Sequence, residues 1–145
     1  MSPLESAILL AVQSHQGQRD KGGAPYILHP LRMMLRMRSE VEMMVAILHD
    51  VVEDTQHTLL DLRQAGYSEQ VLEAVDCLTR KDGETYEEFI ERVRQNSLAR
   101  RVKIADLEDN MDIRRISDPQ ARDWERLKRY RRAWRDLTGE EAKVL

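Results

Sequence analysis

Apolar residues along this chain recur at the three-and-four spacing of amphipathic helices, and no stretch shows the strict alternation of a half-buried strand. Leu4, Ile8, Ala11 and Val12 predict a first helix ending near Gly17. The segment from Gly17 to His29 holds three of the six glycines together with Pro25, and predicts an ordered loop. His29-Pro30 opens the next helix, with proline in the first turn and Leu31, Met34, Leu35 and Met37 on the apolar side. Glu40 to Asp54 reads as a third helix. Thr58 caps a short one that stops at Gly66. Ser68 starts another as a simple cap, burying Val71, Leu72, Val75 and Leu78. Lys81-Asp82-Gly83 is a turn, and Tyr86, Phe89, Ile90 and Val93 mark the helix after it. Ser97 is the expected cap of a long helix running to about Ile113, which Asp118-Pro119 breaks. Trp124, Leu127, Tyr130, Trp134 and Leu137 stripe the last helix. The expectation is an all-α bundle of roughly seven to eight helices, with residues 1–145 forming one domain.

The third helix carries an unusual polar face. On a helical wheel with His49 as the origin, Glu53 falls at about 40°, Asp50 at about 100° and Asp54 at about 140°. Ile47, Val51, Met44, Leu48, Val52 and Val45 fill the arc from about 160° to about 320°. The polar stripe therefore holds one histidine, three acids and nothing basic. Adjacent acceptors repel unless something positive lies against them. Burying them unpaired costs several kcal/mol, whereas a divalent cation replaces the lost hydration.

Composition narrows the function classes. The net charge is −3, from 26 acidic against 23 basic residues, which argues against a nucleic-acid partner held by bulk charge. The single cysteine, Cys77, has no partner for an internal disulfide, so a reducing compartment is the expectation. No run nears the roughly eighteen apolar residues of a membrane span. The start, Met1-Ser2-Pro3-Leu4-Glu5, lacks the basic and apolar regions of a signal peptide. A cytoplasmic protein with no membrane partner is the simplest reading.

Two neighbouring ligands do not close a metal site. Of the four histidines, His57 sits in a polar loop, and His15 ends the first helix, where positive charge suits the dipole. His29 is the better ligand, because the rigid segment Pro25-Tyr26 to His29-Pro30 can present it reproducibly; the alternative is a helix-terminal histidine bonded to backbone. A further ligand from a distant helix is Asp106. With Asp106 as the origin of the wheel, Asn110 lies at about 40° and Lys103 at about 60°, beside Ile104, Leu107 and Met111. A surface ion pair between Lys103 and Asp106 is the competing reading.

His29, His49-Asp50 and Asp106 resemble the H…HD…D signature of the HD phosphohydrolase superfamily. His15-Gln16-Gly17-Gln18, Pro25 to Pro30, Leu48 to Thr55 and Lys103-Ile104-Ala105-Asp106…Asn110 resemble, in order, the hydrolase domain of RelA/SpoT-type proteins. The likeness runs from about residue 5 to about residue 115. It implies an HD-domain bundle with one metal, usually Mn²⁺, held by His29, His49, Asp50 and Asp106. Two imidazoles and two carboxylates also suit Fe²⁺ or Mg²⁺. Glu53 and Asp54 would orient or deprotonate the attacking water and handle the leaving-group proton. The implied reaction removes the 3′-pyrophosphate of guanosine tetra- or pentaphosphate (ppGpp), a small-molecule nucleotide.

Lys21 matches the second member of an Arg-Lys pair that this family uses around the nucleobase. The likeness also makes Lys21, Lys81, Lys103 and Arg126 candidate cations for substrate phosphates. Asn110 matches a nucleotide-contacting asparagine, and Arg126 and Tyr130 resemble residues placed over the nucleotide in small family members, with core packing beside Trp134 as the alternative for Tyr130. The chain departs from the pattern at Asp20, where arginine is typical and Arg19 stands displaced by one, at Ala24 in place of glutamate, and at Ile113 in place of threonine. These changes touch the base and ribose region and leave two alternatives open: an HD phosphohydrolase acting on another nucleotide or phosphorylated cofactor, and a non-catalytic binding module.

Overall fold

Local signals start most of the helices. In the computed structural model, which describes the backbone of residues 1–144 and the side chains of residues 1–139, Ser2 and Glu5 form a reciprocal capping box on α1 (Pro3–Ser14). Thr58 and Asp61 form the same device on α4 (Leu59–Gln64), and Thr85 and Glu88 on α6 (Tyr86–Arg94). Each box satisfies two amide hydrogens that the first turn leaves without acceptors. Ser39 caps α3 (Glu40–Asp54) and Ser68 caps α5 (Glu69–Cys77), both as simple caps. Gly66, at φ +95°, closes α4 in a left-handed conformation that other residues avoid. α2 (Leu28–Leu35) begins one residue before His29-Pro30. Among the described residues there are eight α-helices and no strand, so the fold is the all-α one expected.

Two boundaries differ from expectation. Asn96, not Ser97, caps α7 (Ser97–Asn110), because its side chain accepts the amide of Ala99 at 2.9 Å. The long helix also stops at Asn110 and is followed by a short 3-10 turn (Ile113–Arg115), which Asp112 begins by accepting the amide of Arg114. In α8 (Ala121–Val144) the inward position of the first turn goes to Asp123, which accepts the Gln120 amide at 2.8 Å. Trp124, one residue on and about 100° around the helix, is left 46% exposed and does not join the core stripe.

α3 is the hub, packed against α1, α2, α5 and α7, while α8 lies across α6 and α7. Every residue from Val45 to Val51 is buried, so the middle of α3 has no solvent face at all. The wheel's polar stripe is therefore split. His49 and Asp50 are enclosed by the surrounding helices, and Glu53 and Asp54 emerge at the exposed C-terminal turn. No helix among the described residues is long and apolar enough to cross a membrane.

Leu72 on α5 is almost wholly buried and packs in this core away from the polar cluster. Leu72→Ala should destabilise the fold by about 2–5 kcal/mol, read as a lower urea midpoint with unchanged slope; a shift within about 0.5 kcal/mol would show that α5 is not part of the cooperative core.

Candidate metal centre and nucleotide cavity

Three helices bring four polar side chains to one buried point. His29 comes from the first turn of α2, His49 and Asp50 from the middle of α3, and Asp106 from α7, and all are 9% exposed or less. His29, His49 and Asp50 each offer a ligand atom within 4.8 Å of the other two. Asp106 Oδ1 lies 2.8 Å from His29 Nε2 and 3.8 Å from His49 Nε2. His49 Nδ1 donates to the Ala46 carbonyl at 2.7 Å, which fixes the tautomer. Its Nε2 is buried without a hydrogen-bond partner and faces Asp50 Oδ1 at 3.1 Å. A buried lone pair directed at carboxylates is unfavourable alone and suited to a cation. The donor set, two imidazoles and two carboxylates, fits a divalent ion.

Protons supply positive charge here when no ion is bound. Burial opposes a charge on His29, but hydrogen bonds to Asp106 and Asp109 and the field of Asp50 outweigh it and push its pKa up to about 9. His49 is raised well above the usual imidazole range, against burial, chiefly by Asp50 and Asp106. Burial would raise Asp106, yet Lys103 and the two imidazoles hold it well below the usual carboxylate range. Lys103 donates to Asp106 Oδ2 at 2.8 Å and sits 5.2 Å from the Phe89 ring centre. Asn110 also donates to Asp106, at 3.1 Å.

Sequence reasoning did not assign roles to Asp109 or Tyr26, and both grip the cluster. Asp109 Oδ2 accepts from His29 Nδ1 at 2.6 Å, and Arg32 clamps the same carboxylate with bonds of 2.8 and 2.9 Å. A carboxylate on the far nitrogen of a ligand histidine is the arrangement that orients metal-binding imidazoles. In sequence, Asp109 is one of several acids in Asp106 to Asp112 with nothing to single it out. Tyr26 donates to Asp50 Oδ2 at 2.5 Å and reaches Asp54 Oδ2 at 3.3 Å. Its position in the Pro25 to Pro30 segment was the available signal. His15, at the C-cap of α1, is buried against the Tyr26 ring.

Joined to the cluster by Tyr26 and Asn110, which bond to Asp50 and Asp106, is a cavity of about 450 Å³ whose walls also include Asp54, Lys21, Arg126 and Tyr130. Lys21 Nζ lies 6.0 Å from the centre of the Tyr130 ring, and Arg129 approaches the same ring at 5.7 Å. Such a wall offers cations to phosphates and an aromatic face to a base. Asp54 faces this space, and burial together with Asp50 and Glu53 raises its pKa. Glu53 turns the other way and accepts the backbone amide of Arg80 at 2.9 Å. Lys103 stays against Asp106, outside the cavity wall. His57 lines a separate recess with Leu10 and Asp61. Asp20 presents no free oxygen: Oδ1 accepts the amides of Gly22 and Ala24, and Oδ2 accepts from Arg115.

No family model matches the chain. Over 123 residues it is 32% identical to the bifunctional (p)ppGpp synthase/hydrolase SpoT of Escherichia coli, a match covering 74% of this chain and 17% of that protein. Over 83 residues it is 37% identical to a guanosine-3′,5′-bis(diphosphate) 3′-pyrophosphohydrolase of Vibrio cholerae, covering 54% of this chain and 12% of that one. A GTP pyrophosphokinase of Streptomyces coelicolor is 31% identical over 121 residues, or 74% of this chain and 14% of its own length. The chain thus spans less than a fifth of these relatives. Among solved structures, a metazoan ortholog of SpoT that hydrolyzes ppGpp superimposes with a TM-score of 0.79, covering 94% of this chain and 85% of the other. At 23% identity that likeness is one of fold. By sequence the chain is homologous to one segment of the RelA/SpoT-type proteins, and its fold matches that of a SpoT ortholog.

Proposed function

We propose that this chain is a divalent-metal-dependent phosphohydrolase that removes the 3′-pyrophosphate of guanosine tetra- or pentaphosphate. The observation that carries the reading is the buried His29–His49–Asp50–Asp106 cluster, linked through Tyr26 and Asn110 to a nucleotide-sized cavity lined by Lys21, Arg126 and Tyr130. The named relatives include a 3′-pyrophosphohydrolase and a synthase/hydrolase, which supports the same reaction. Mn²⁺ is the proposed ion, because imidazole and carboxylate ligands with open positions suit it. Held by His29, His49, Asp50 and Asp106, the ion would supply Lewis-acid polarisation of the phosphoryl group and acidify water at neutral pH.

The chain's own groups account for the rest. Lys21 and Arg126 hold phosphate oxygens, Tyr130 lies against the base, and Asn110 braces Asp106 from the cavity side. Asp54 accepts the proton of the attacking water, since it faces the cavity beside Tyr26 and Asp50. The water oxygen bonds to the phosphorus next to the ribose as the bond from that phosphorus to the 3′ oxygen breaks. The 3′ oxygen takes a proton, and pyrophosphate leaves. Glu53, one residue away, faces out of the cavity with its carboxylate on the Arg80 amide, so the proton for the 3′ oxygen is drawn from solvent, to which Asp54 returns its own. A second reading, hydrolysis of another nucleotide's phosphate ester, is favoured by the self-closed loop at Asp20, which lacks the family's arginine. A panel of purine 3′- and 5′-polyphosphates incubated with Mn²⁺, with products separated by ion exchange, tests both: GDP and pyrophosphate from ppGpp are expected, and turnover confined to other nucleotides would favour the second.

Asp54→Asn should retain Mn²⁺ and lose about 10²–10⁴-fold in kcat, measured as pyrophosphate release at saturating substrate; a kcat within about threefold of the unsubstituted protein would remove Asp54 from proton transfer.

Metal binding should be linked to pH through His29. Its pKa is raised to about 9 in the ion-free state, so the imidazole is protonated below that pH and must lose its proton to become a ligand. Mn²⁺ affinity should therefore rise by at least about tenfold per pH unit between about pH 7 and 8, with about one or more protons released per ion. Titration in lightly buffered solution reads this directly, and binding without proton release would exclude His29 as a ligand.

A further inference from the structure

Arg115, in the 3-10 turn after α7, reaches in two directions. Its Nη2 donates to the Asp109 carbonyl at 2.6 Å and lies 3.5 Å from Asp109 Oδ2. Its Nη1 donates to Asp20 Oδ2 at 3.2 Å. On one side, Asp109 accepts from His29 Nδ1 and so aims Nε2 at the cluster. On the other, Asp20 closes the loop that carries Lys21 into the nucleotide cavity, by accepting the amides of Gly22 and Ala24 at 2.9 Å each. The loop is seated against the same turn through backbone as well. A Cβ on Gly22 would stand 2.2 Å from the Arg115 carbonyl oxygen, so only glycine permits this approach.

We infer that Arg115 is a positioning residue joining the nucleotide loop to the metal ligand His29, so that Asp20, in the cavity wall, sets the affinity for the divalent ion. The inference rests on the metal reading given above. A planar guanidinium can serve two carboxylates at fixed angles, whereas an ammonium at one point cannot. While Asp20 holds Nη1, Arg115 approaches Asp109 mainly through its carbonyl and leaves Oδ2 to His29 and Arg32. Without Asp20 the guanidinium is free to turn fully onto Asp109 Oδ2 and compete with His29 Nδ1. The histidine then loses the bond that fixes its tautomer and direction. By linkage, a nucleotide that orders the Lys21 loop tightens ion binding, and the ion tightens nucleotide binding by the same factor.

The test measures Mn²⁺ affinity by calorimetry in the absence of substrate for the unsubstituted protein, Asp20→Asn, Arg115→Lys and the double variant. Each single change should weaken binding about tenfold, the lower end of the range for partners of ligand histidines. The double variant should bind no more weakly than Arg115→Lys alone, because Asp20 acts through Arg115. Gly22→Ala, which lifts the loop off the turn without altering any charge, should weaken binding in the same direction. Circular dichroism identifies the folded variants, and one folded loop variant of the two suffices. Unchanged affinity in folded Asp20→Asn or Gly22→Ala overturns the inference, as does full additivity of the two single changes. An unsubstituted protein that binds no Mn²⁺ overturns the metal reading together with it.

Discussion

The Asp106 carboxylate, buried where α2, α3 and α7 meet, is the group around which the rest of the structure is arranged. It takes bonds from His29, Lys103 and Asn110 at once. Asp50 and Asp109 are buried close by, so three carboxylates share a space largely closed to water. Each must be matched by a cation or a donor, since stripping the partner from a buried charge costs about 3–5 kcal/mol. Lys103, Arg32 and Arg115 supply fixed positive charge, and the two imidazoles supply the remainder as protons or as ligands. This balance adds to apolar packing in specifying the register of the helices, since a turn's displacement of α7 would separate Asp106 from His29.

The division of α3 follows from that arrangement. Its middle is enclosed, which strips water from His49 and Asp50 and holds them still. Its last turn reaches the cavity rim, which leaves Asp54 exposed. Ligands benefit from burial and rigidity, whereas a group that passes protons to water needs access to it. Under the proposed function one helix would meet both needs, because four residues advance it by about 6 Å, a little over one turn. Tyr26 spans the boundary, bonded to the buried Asp50 and to the exposed Asp54. With Asn110, which lines the cavity and donates to Asp106, it couples the rim directly to the cluster.

How much of this could be read from the sequence depends on how local each signal is. The helices were legible, because apolar spacing and capping side chains act within one turn. The four clustered residues were legible from their chemistry and from their likeness to a known signature. The full burial of the middle of α3 was not, because its wheel shows an acidic stripe and only the packing of α1, α2 and α7 decides what covers it. Asp109 was hidden for a related reason. It lies among acids that look like a solvated helix end, and its partners His29 and Arg32 are more than seventy residues away. Trp124 was misplaced because an apolar residue in register with a stripe is assigned to the core by default, while here Asp123 takes the inward position as a cap.

Asp20 shows how a departure from a family pattern acquires meaning only in three dimensions. In place of an arginine, an acid in a nucleotide loop suggests repulsion of phosphate. Its two oxygens are instead spent on the loop's own amides and on Arg115, so little negative charge is offered to the cavity. What remains to meet a base is the Tyr130 ring with Lys21 and Arg129 against it, a surface that attracts any π-system and reads few edges. Under the proposed function, discrimination among nucleotides would fall mainly on the phosphates, where Lys21, Arg126 and the metal cluster would fix the spacing between a 3′ group and the remainder of the molecule. Such a site would select for the position of the scissile phosphate first and for the identity of the base second.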